Sequence, residues 1–161
     1  MVLACGAKTV SDYEVHIVGS GPLDQFLKSE ILRLGLNKRI VFHGSVSMEV
    51  IKELFQRVDL LVLPSVNRAE AFGVVLLEAI SAGLPVIVNN VEGSGMVEVA
   101  KSGNFGLVGE YCDPNDWVRC IEFIFDPGNY QRMSQSAKKS FASNYSITSF
   151  QNRFSNIVEG L

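Results

Sequence analysis

The sequence predicts an α/β domain with a Rossmann-like, doubly wound and mostly parallel sheet, followed by C-terminal helices. Short apolar runs alternate with longer segments of helical period, as is typical of βαβ units. The strand-like runs are apolar at consecutive positions, as expected for a sheet that is covered on both faces. The length of 161 residues favours one domain over two.

The predicted elements follow one another along the whole chain. Strands are predicted at 13–19, 39–44, 59–65, 86–90 and 105–109. Helices are predicted at 23–35, 47–58, 74–82 and 95–103, and then at 114–125, 129–145 and 146–161. Gly35 and Gly83 suit helix ends. Ligands of such sheets bind at the carboxyl ends of the strands, here 19–22, 43–46, 64–73 and 89–95.

The composition excludes several classes of protein. With 47% hydrophobic and 19% charged residues, the chain can bury a core and is not a disordered segment. A net charge of −3 argues against a sequence-independent nucleic-acid binder. No apolar run approaches the ~20 residues of a membrane helix, and the start lacks the features of a signal peptide. We therefore expect a cytoplasmic protein.

Neither the cysteines nor the histidines suggest a metal site. Cys5, Cys112 and Cys120 form no CxxC motif or Cys/His cluster, so we expect reduced thiols in or near the core. His16 and His43 lie inside apolar strand-like runs, which favours structural roles. His43 ends its strand, so a role in binding stays open for this residue.

The glycine turn in "VGSGPLDQ" resembles a dinucleotide fingerprint only in part. Asp24 stands where the third glycine would be, and His43, Gly44 and Ser45 follow the next strand in place of an acidic residue. A nicotinamide cofactor is therefore disfavoured. Either the turn is purely structural, or Gly19 and Gly21 allow a ligand to approach the backbone near a helix N-terminus.

Glu70 and Glu78 cannot be an acid/base pair on one helix. Eight positions correspond to ~12 Å along a helix axis, with the side chains about 80° apart. If the helix begins near Gly73, Glu70 lies in the loop before it, and the amides of Phe72, Gly73 and Val74 lie between the two carboxylates. That arrangement suits a diphosphate held between two hydroxyl-rich sugars. Alternatively, Glu78 is only a favourable charge in the N-terminal half of the helix.

The segment "PSVNRAEAFGVVLLEAISAGLPVI" resembles the signature of the retaining glycosyltransferases of family 4, the group 1 glycosyl transferases. Their signature is a Glu-x7-Glu (EX7E) motif with Phe-Gly after the first glutamate and Gly-x-Pro-Val after the helix. "HIVGSGP", "IVFHGSV" and "VEGSGMVEVAKSGNFGLV" also resemble blocks of this family, in the same order. The resemblance covers about residues 15–117.

The resemblance implies a role for each matched position. The chain would be the C-terminal, donor-binding half of a GT-B fold, a single domain over 1–161 that binds a nucleotide-diphosphate sugar. The resemblance implies a same-face mechanism that retains the anomeric configuration and requires no metal. It also implies a cytoplasmic enzyme, which could associate peripherally with a membrane. Glu70 would be the catalytic residue at the donor sugar and Glu78 would hold the ribose; the other donor-binding positions would be Gly19, Gly21, Gly44, Ser45, Val46, Phe72, Gly73 and Val74.

Two departures from the family bear on activity. Residues 1–9 resemble the tail of a helix, so 1–14 would be the remnant of a truncated first βα unit, and the basic loop that clamps the diphosphate would be absent. The acceptor domain would be absent as well. We therefore expect this chain alone to be inactive. The missing strand would be central, and its place could be taken by a refolded N-terminal segment or by another copy of the chain.

Several polar residues near the predicted site have two interpretations. Arg68 and Lys101 are the nearby cations, and Arg68 would face a phosphate or an anionic acceptor unless it is a solvated surface charge. Asn89, Asn90 and Glu92 would either face the sugar or form an ordinary polar loop, and Glu98 is expected to be structural. The alternative functions are a non-catalytic nucleotide-sugar or interaction module and a GT-B nucleotide-sugar epimerase. The sequence does not identify the base, the sugar or the acceptor.

Overall fold

A six-stranded sheet forms the centre of the molecule. The computed structural model describes residues 2–9, 12–66 and 73–159. The strands lie in the order β3-β2-β1-β4-β5-β6. Their bounds are Val2–Thr9 (β1), Asp12–Val18 (β2), Ile40–Gly44 (β3), Leu60–Leu63 (β4), Val86–Asn89 (β5) and Gly106–Gly109 (β6).

Seven α-helices lie in the described part of the chain. Four of them join strands: Asp24–Arg33 (α1), Met48–Phe55 (α2), Val74–Ala82 (α3) and Gly95–Lys101 (α4). The C-terminal part holds Pro114–Phe125 (α5), Pro127–Ser140 (α6), a π-helical segment at Phe141–Tyr145, and Ile147–Glu159 (α7). The prediction of a mostly parallel sheet with C-terminal helices is confirmed, since β2 pairs parallel with β3, and β5 with both β4 and β6.

The N-terminal segment is a strand, so the prediction of a residual helix there was wrong. β1 pairs antiparallel with β2 on one side and with β4 on the other. Thr9 pairs with Asp12, and a connection of only two residues permits only an antiparallel pair. A helix at 2–9 would leave the facing edges of β2 and β4 unpaired in the middle of the sheet. Of the two ways to fill the central position, the structure therefore shows the refolded segment.

The core lies on both faces of β4 and β5, every residue of which is buried. Leu61, Leu63, Val86 and Val88 pack with α2, α3 and α4 on one face. Leu60, Val62 and Ile87 pack on the other face with Ile124 of α5 and Met133 of α6. Burial on both faces explains why these strands are apolar at consecutive positions. It also anchors the carboxyl ends of β4 and β5 in the core.

Candidate active site at the carboxyl edge of the sheet

The antiparallel orientation of β1 changes which loops lie at the ligand-binding edge of the sheet. β2 to β6 all end at this edge, whereas β1 begins there, with Val2 opposite Val18. The short connection from β1 to β2 therefore lies at the other edge. In a sheet with a parallel first strand, a loop from that strand would reach the ligand. Here the edge is built from the ends of β2 to β6 and from the described residues that follow each of them.

The ends of β2 and β3 are joined by two hydrogen bonds beyond their ladder. The Gly19 amide donates to the Gly44 carbonyl at 2.8 Å, and the hydroxyls of Ser20 and Ser45 are 2.6 Å apart. Gly19 and Gly44 have φ values of 113° and 68°, which only glycine adopts without strain. The structure thus brings Gly19 beside the segment 44–46, both of which the sequence predicts to bind the donor. Ser45 is exposed and Val46 is partly buried.

Gly21 begins a turn that satisfies its own amide. The Gly21 N–H donates to Oδ1 of Asp24 at 2.8 Å, and Asp24 occupies the first turn of α1. This carboxylate interacts favourably with the helix N-terminus and supplies the negative charge there. The α1 N-terminus is therefore already compensated, and a ligand anion has less to gain from it. Gly21 is exposed, and a Cβ atom added to it would meet nothing within 4 Å.

Gly73 starts α3 in a conformation and a space that suit glycine. Its φ is +65°, and a Cβ there would lie 3.2 Å from side-chain atoms of both Leu76 and Met96. As the N-cap residue it offers no side chain to the first amides of the helix, and the first turn of α3 holds no acidic residue. These N–H groups need acceptors from elsewhere. The predicted anion site at Gly73 and Val74 therefore has the required donors.

Glu78 lies in the second turn of α3 and is partly buried. It lines a groove of about 640 Å³ between α2, α3 and α6, to which Met48 and Lys52 of α2 also contribute. Among the described residues, no hydrogen bond or ion pair engages its carboxylate. The groove continues past Asp59 and Leu84, which precede β4 and β5, so most of it lies toward the opposite edge of the sheet. Only its end at Glu78 and Met48 belongs to the candidate site.

Three of the predicted site residues lie outside the described part of the chain. These are Arg68, Glu70 and Phe72, and their predicted roles stay predictions. Val74 is described and is exposed as the first residue of α3. Lys101 is in the last turn of α4, and this helix runs from the end of β5 to the start of β6. The structure therefore places Lys101 away from the carboxyl edge, so the prediction that it is a cation near the site was wrong.

Asn89 is a buried polar residue at the end of β5, with 2% of its surface exposed. Its Nδ2 donates to the carbonyl of Ser65 at 3.3 Å, while its Oδ1 has no hydrogen-bond partner among the described residues. Buried polar atoms are nearly always paired, so this oxygen is an acceptor at the carboxyl edge whose partner does not lie among the described residues. Asn90 instead donates to Glu110 at 2.9 Å, as an ordinary polar loop residue does.

His16 and His43 form a pair that the sequence does not reveal. His16 is buried, and its Nδ1 lies 2.9 Å from Nε2 of His43. On its other side, Nε2 of His16 is 2.9 Å from Oε1 of Glu14. Burial, His43 and Arg57 lower the pKa of His16, while Glu14 opposes the shift. The chain of three side chains runs from the exposed carboxylate of Glu14 to the end of β3.

The described cysteines differ in their surroundings. Cys112 is exposed in the turn before α5 with a φ of +60°, so the expectation of thiols in or near the core was wrong for this residue. Cys120 is partly buried, and burial raises the pKa of its thiol. Over the ranges that the structure describes, no group of three His, Cys, Asp or Glu side chains could hold a metal ion. No helix in those ranges is long and apolar enough to cross a bilayer.

Comparison with known proteins identifies the same family. Residues 3–140 match the family described as glycosyl transferases group 1. The chain is 33% identical over 131 residues to the uncharacterized glycosyltransferase MJ1607 of Methanocaldococcus jannaschii, covering 81% of this chain and 33% of that protein. It is also 33% identical over 132 residues to the D-rhamnosyltransferase WbpZ of Pseudomonas aeruginosa, covering 81% of this chain and 34% of that protein.

Solved structures agree with the sequence comparison. The glycosyltransferase WaaG, involved in lipopolysaccharide biosynthesis, superposes with a TM-score of 0.66 at 25% identity over 81% of this chain and 34% of that chain. Anabaena Alr3699/HepE in complex with UDP-glucose superposes with a TM-score of 0.72 at 23% identity, over 91% of this chain and 40% of that chain. The fold is that of half a GT-B enzyme, and the chain spans about a third of the length of the curated relatives it matches.

Proposed function

Because the chain belongs to the group 1 glycosyl transferases, we propose that it binds the nucleotide-diphosphate sugar of a retaining glycosyltransferase at the carboxyl edge of its sheet. One observation carries this proposal: the start of α3 at Gly73, which no described side chain caps, lies five residues or about one and a half helical turns before Glu78, whose carboxylate no described residue engages. Amide donors suit a diphosphate, and a free carboxylate suits the hydroxyls of a ribose.

The other residues at the carboxyl edge bind the base, the nucleotide and the sugar of the donor. The tied ends of β2 and β3, at Gly19 and 44–46, contact the base and the nucleotide. Glu70 contacts the donor sugar, in keeping with the resemblance of its motif to that of the family. Oδ1 of Asn89 accepts a hydrogen bond from a sugar hydroxyl or from an amide that closes on it.

In the mechanism we propose, the acceptor attacks from the face that the nucleoside diphosphate leaves, and the leaving phosphate helps to deprotonate the acceptor. By the same resemblance, no metal ion or cofactor takes part. The role of this domain in catalysis is to bind the diphosphate while negative charge develops on it. The acceptor is bound by a further domain, for which the length of the relatives leaves room.

A second candidate, a non-catalytic nucleotide-sugar module, is favoured by the reversed β1. Since β1 begins at the carboxyl edge, no loop that follows it can bring a basic clamp to the diphosphate. We expect the chain by itself to bind a nucleotide sugar without turnover. Incubation with UDP-glucose and release of UDP above the buffer rate would contradict this second candidate.

Calorimetric titration with UDP-, GDP- and ADP-glucose tests the proposed function. Replacing Glu78 by Ala removes hydrogen bonds to a charged group, worth about 1.5–3 kcal/mol, so affinity should fall roughly ten- to hundredfold. Glu78→Gln should lose less, because its amide oxygen still accepts. The control is Glu122→Ala, which removes the same charge from an exposed position on α5.

The two variants decide between ribose binding and a general loss of charge. Equal affinity of the parent chain and Glu78→Ala would remove Glu78 from the ribose site. If Glu122→Ala lost as much affinity as Glu78→Ala, the loss would be due to the change in net charge and not to contacts of Glu78 with the ribose. No binding of any of the three sugar nucleotides would contradict the proposed function.

A further inference from the structure

Glu14, His16 and His43 form a continuous hydrogen-bonded chain across the first two parallel strands. Oε1 of Glu14 is 2.9 Å from Nε2 of His16, and Nδ1 of His16 is 2.9 Å from Nε2 of His43. His43 occupies a bulge in β3, because Ile17 pairs with Phe42 while Val18 pairs with Gly44. A bulge re-aims a side chain, and here it accompanies the contact between the two rings.

The carboxylate fixes the direction of every hydrogen bond in the chain. An ionised carboxylate only accepts, so Nε2 of His16 carries a proton and donates to Glu14. In a neutral His16 ring, Nδ1 must then accept, and Nε2 of His43 donates to it. Nδ1 of His43, at the end of this hydrogen-bonded chain, then carries a lone pair and no proton. All three groups are thereby satisfied in one defined pair of tautomers.

The pair can take up one further proton without losing a hydrogen bond. A proton on Nδ1 of His43 leaves both existing bonds in place, whereas two protonated rings would oppose two N–H groups across 2.9 Å. Burial lowers the pKa of His16, which keeps the added charge on His43. Glu14 opposes the lowering of the His16 pKa, while His43 and Arg57, which follows α2, add to it.

The added charge would lie next to the proposed nucleotide site. His43 immediately precedes Gly44, whose carbonyl accepts from the Gly19 amide at 2.8 Å. The hydroxyls of Ser20 and Ser45 join the following residues at 2.6 Å. A diphosphate near this turn favours the charged form of a neighbouring imidazole, and the charged imidazole favours the diphosphate by the same amount.

We propose that the chain Glu14–His16–His43 links nucleotide-sugar binding to the uptake of one proton, so that binding strengthens as the pH falls. The inference rests on the proposed function, because it requires an anionic ligand at this edge. Glu14 and His16 act as positioning residues for His43. Nothing in the family signature at Glu70 and Glu78 requires such a chain.

Calorimetry of the 161-residue chain measures the proton directly. Binding of the tightest of UDP-, GDP- and ADP-glucose is followed from pH of about 7.5 to about 5.5, in paired buffers of low and high ionisation enthalpy. A sugar nucleotide is the right probe, since its diester diphosphate does not itself titrate in this range, as a free nucleoside diphosphate does. Circular dichroism at each pH confirms that the chain stays folded.

We expect affinity to rise with falling pH by up to roughly tenfold per pH unit, with uptake of part of a proton at each pH. His43→Gln keeps a hydrogen-bond donor and acceptor without a titrating ring, so both effects should vanish. Glu14→Gln should shift the rise in affinity to lower pH, because the charge that favours the protonated pair is gone. A merely structural role of these residues would change affinity without changing its pH dependence.

Each result decides for or against the inference. Binding with no proton uptake overturns it and leaves the proposed function standing. Uptake that persists in His43→Gln assigns the proton to another group and also overturns it. Absence of binding at every pH contradicts the proposed function and removes the inference with it.

Discussion

His16 connects the stability of the domain to pH. Its pKa is lowered from 6.5, chiefly by burial, so the folded state keeps the ring neutral where the unfolded state takes up a proton. The contribution of His16 is therefore fully present above the unfolded pKa and is lost as the pH falls toward the folded value. Acid should weaken the fold through this one ring before the carboxylates titrate.

Denaturation in urea at several pH values checks this prediction. The free energy of unfolding of the parent chain should decline as the pH falls below about 6.5. In His16→Asn the decline over the same window should be smaller, although the variant is less stable at neutral pH. Parallel curves for the two proteins would show that His16 does not cause the decline.

Gly73 should tolerate a side chain much less well than Gly44. Both have a positive φ, at 65° and 68°, so alanine costs roughly 1–2 kcal/mol at either position. At Gly73 the added methyl also meets Leu76 and Met96 at 3.2 Å and Leu63 at 3.3 Å, whereas at Gly44 it meets nothing within 4 Å. Overpacking adds about 1–3 kcal/mol at Gly73 alone.

Thermal or urea unfolding of Gly73→Ala and Gly44→Ala measures this difference. Gly44→Ala serves as the control, since it has the same backbone strain without the contacts. We expect Gly73→Ala to be the less stable variant by at least about 1 kcal/mol. Equal stability would mean that the start of α3 moves freely, and the amides at Gly73 would then not be preorganised for a diphosphate.

At the scale of the elements, α6 depends on the carboxylate that caps it. Oδ1 of Asp126 accepts from the amides of Gly128 and Asn129, both at 3.1 Å, and Pro127 occupies the first position of the helix. The cap fixes the start of a helix that buries Met133 and Ala137 in the core. α6 also forms one wall of the groove that ends at Glu78.

Asp126→Ala should destabilise the domain by about 0.5–2 kcal/mol, because two amides lose their acceptor. Asp126→Asn is the matched control, since asparagine caps as well as aspartate, and it should stay close to the parent. Urea unfolding distinguishes them. A loss in Asp126→Asn equal to that in Asp126→Ala would assign the effect to charge and not to capping.

At the scale of the whole molecule, the sequence predicts the parallel strands well and the first strand badly. β4 and β5 are buried on both faces, so their apolar runs identify them without other information. Residues 2–9 have no such pattern, and they form a strand because the unpaired edges of β2 and β4 leave a central gap. This cause is nonlocal, and the local pattern of residues does not contain it.

The candidate site likewise contains residues that the sequence predicts and contacts that it does not. Gly19, Gly44 and Gly73 were predictable, because strand ends and helix starts require particular backbone conformations at fixed positions. The contact between His16 and His43 spans 27 residues and depends on a bulge in β3, which no periodicity indicates. The unpaired oxygen of Asn89 likewise depends on burial in the folded chain, where no described residue donates to it.

The most direct test of the nucleotide site is amide chemical-shift mapping of the isotope-labelled chain on titration with UDP-, GDP- and ADP-glucose. The amides of Gly19 to Gly21, Gly44 to Val46, and Gly73 and Val74 should shift together along one binding curve, because the proposed function places one ligand against all of them at the carboxyl edge. Shifts confined to the far end of the groove at Tyr130 and Lys138, or no shifts at all, would contradict a nucleotide-sugar site there.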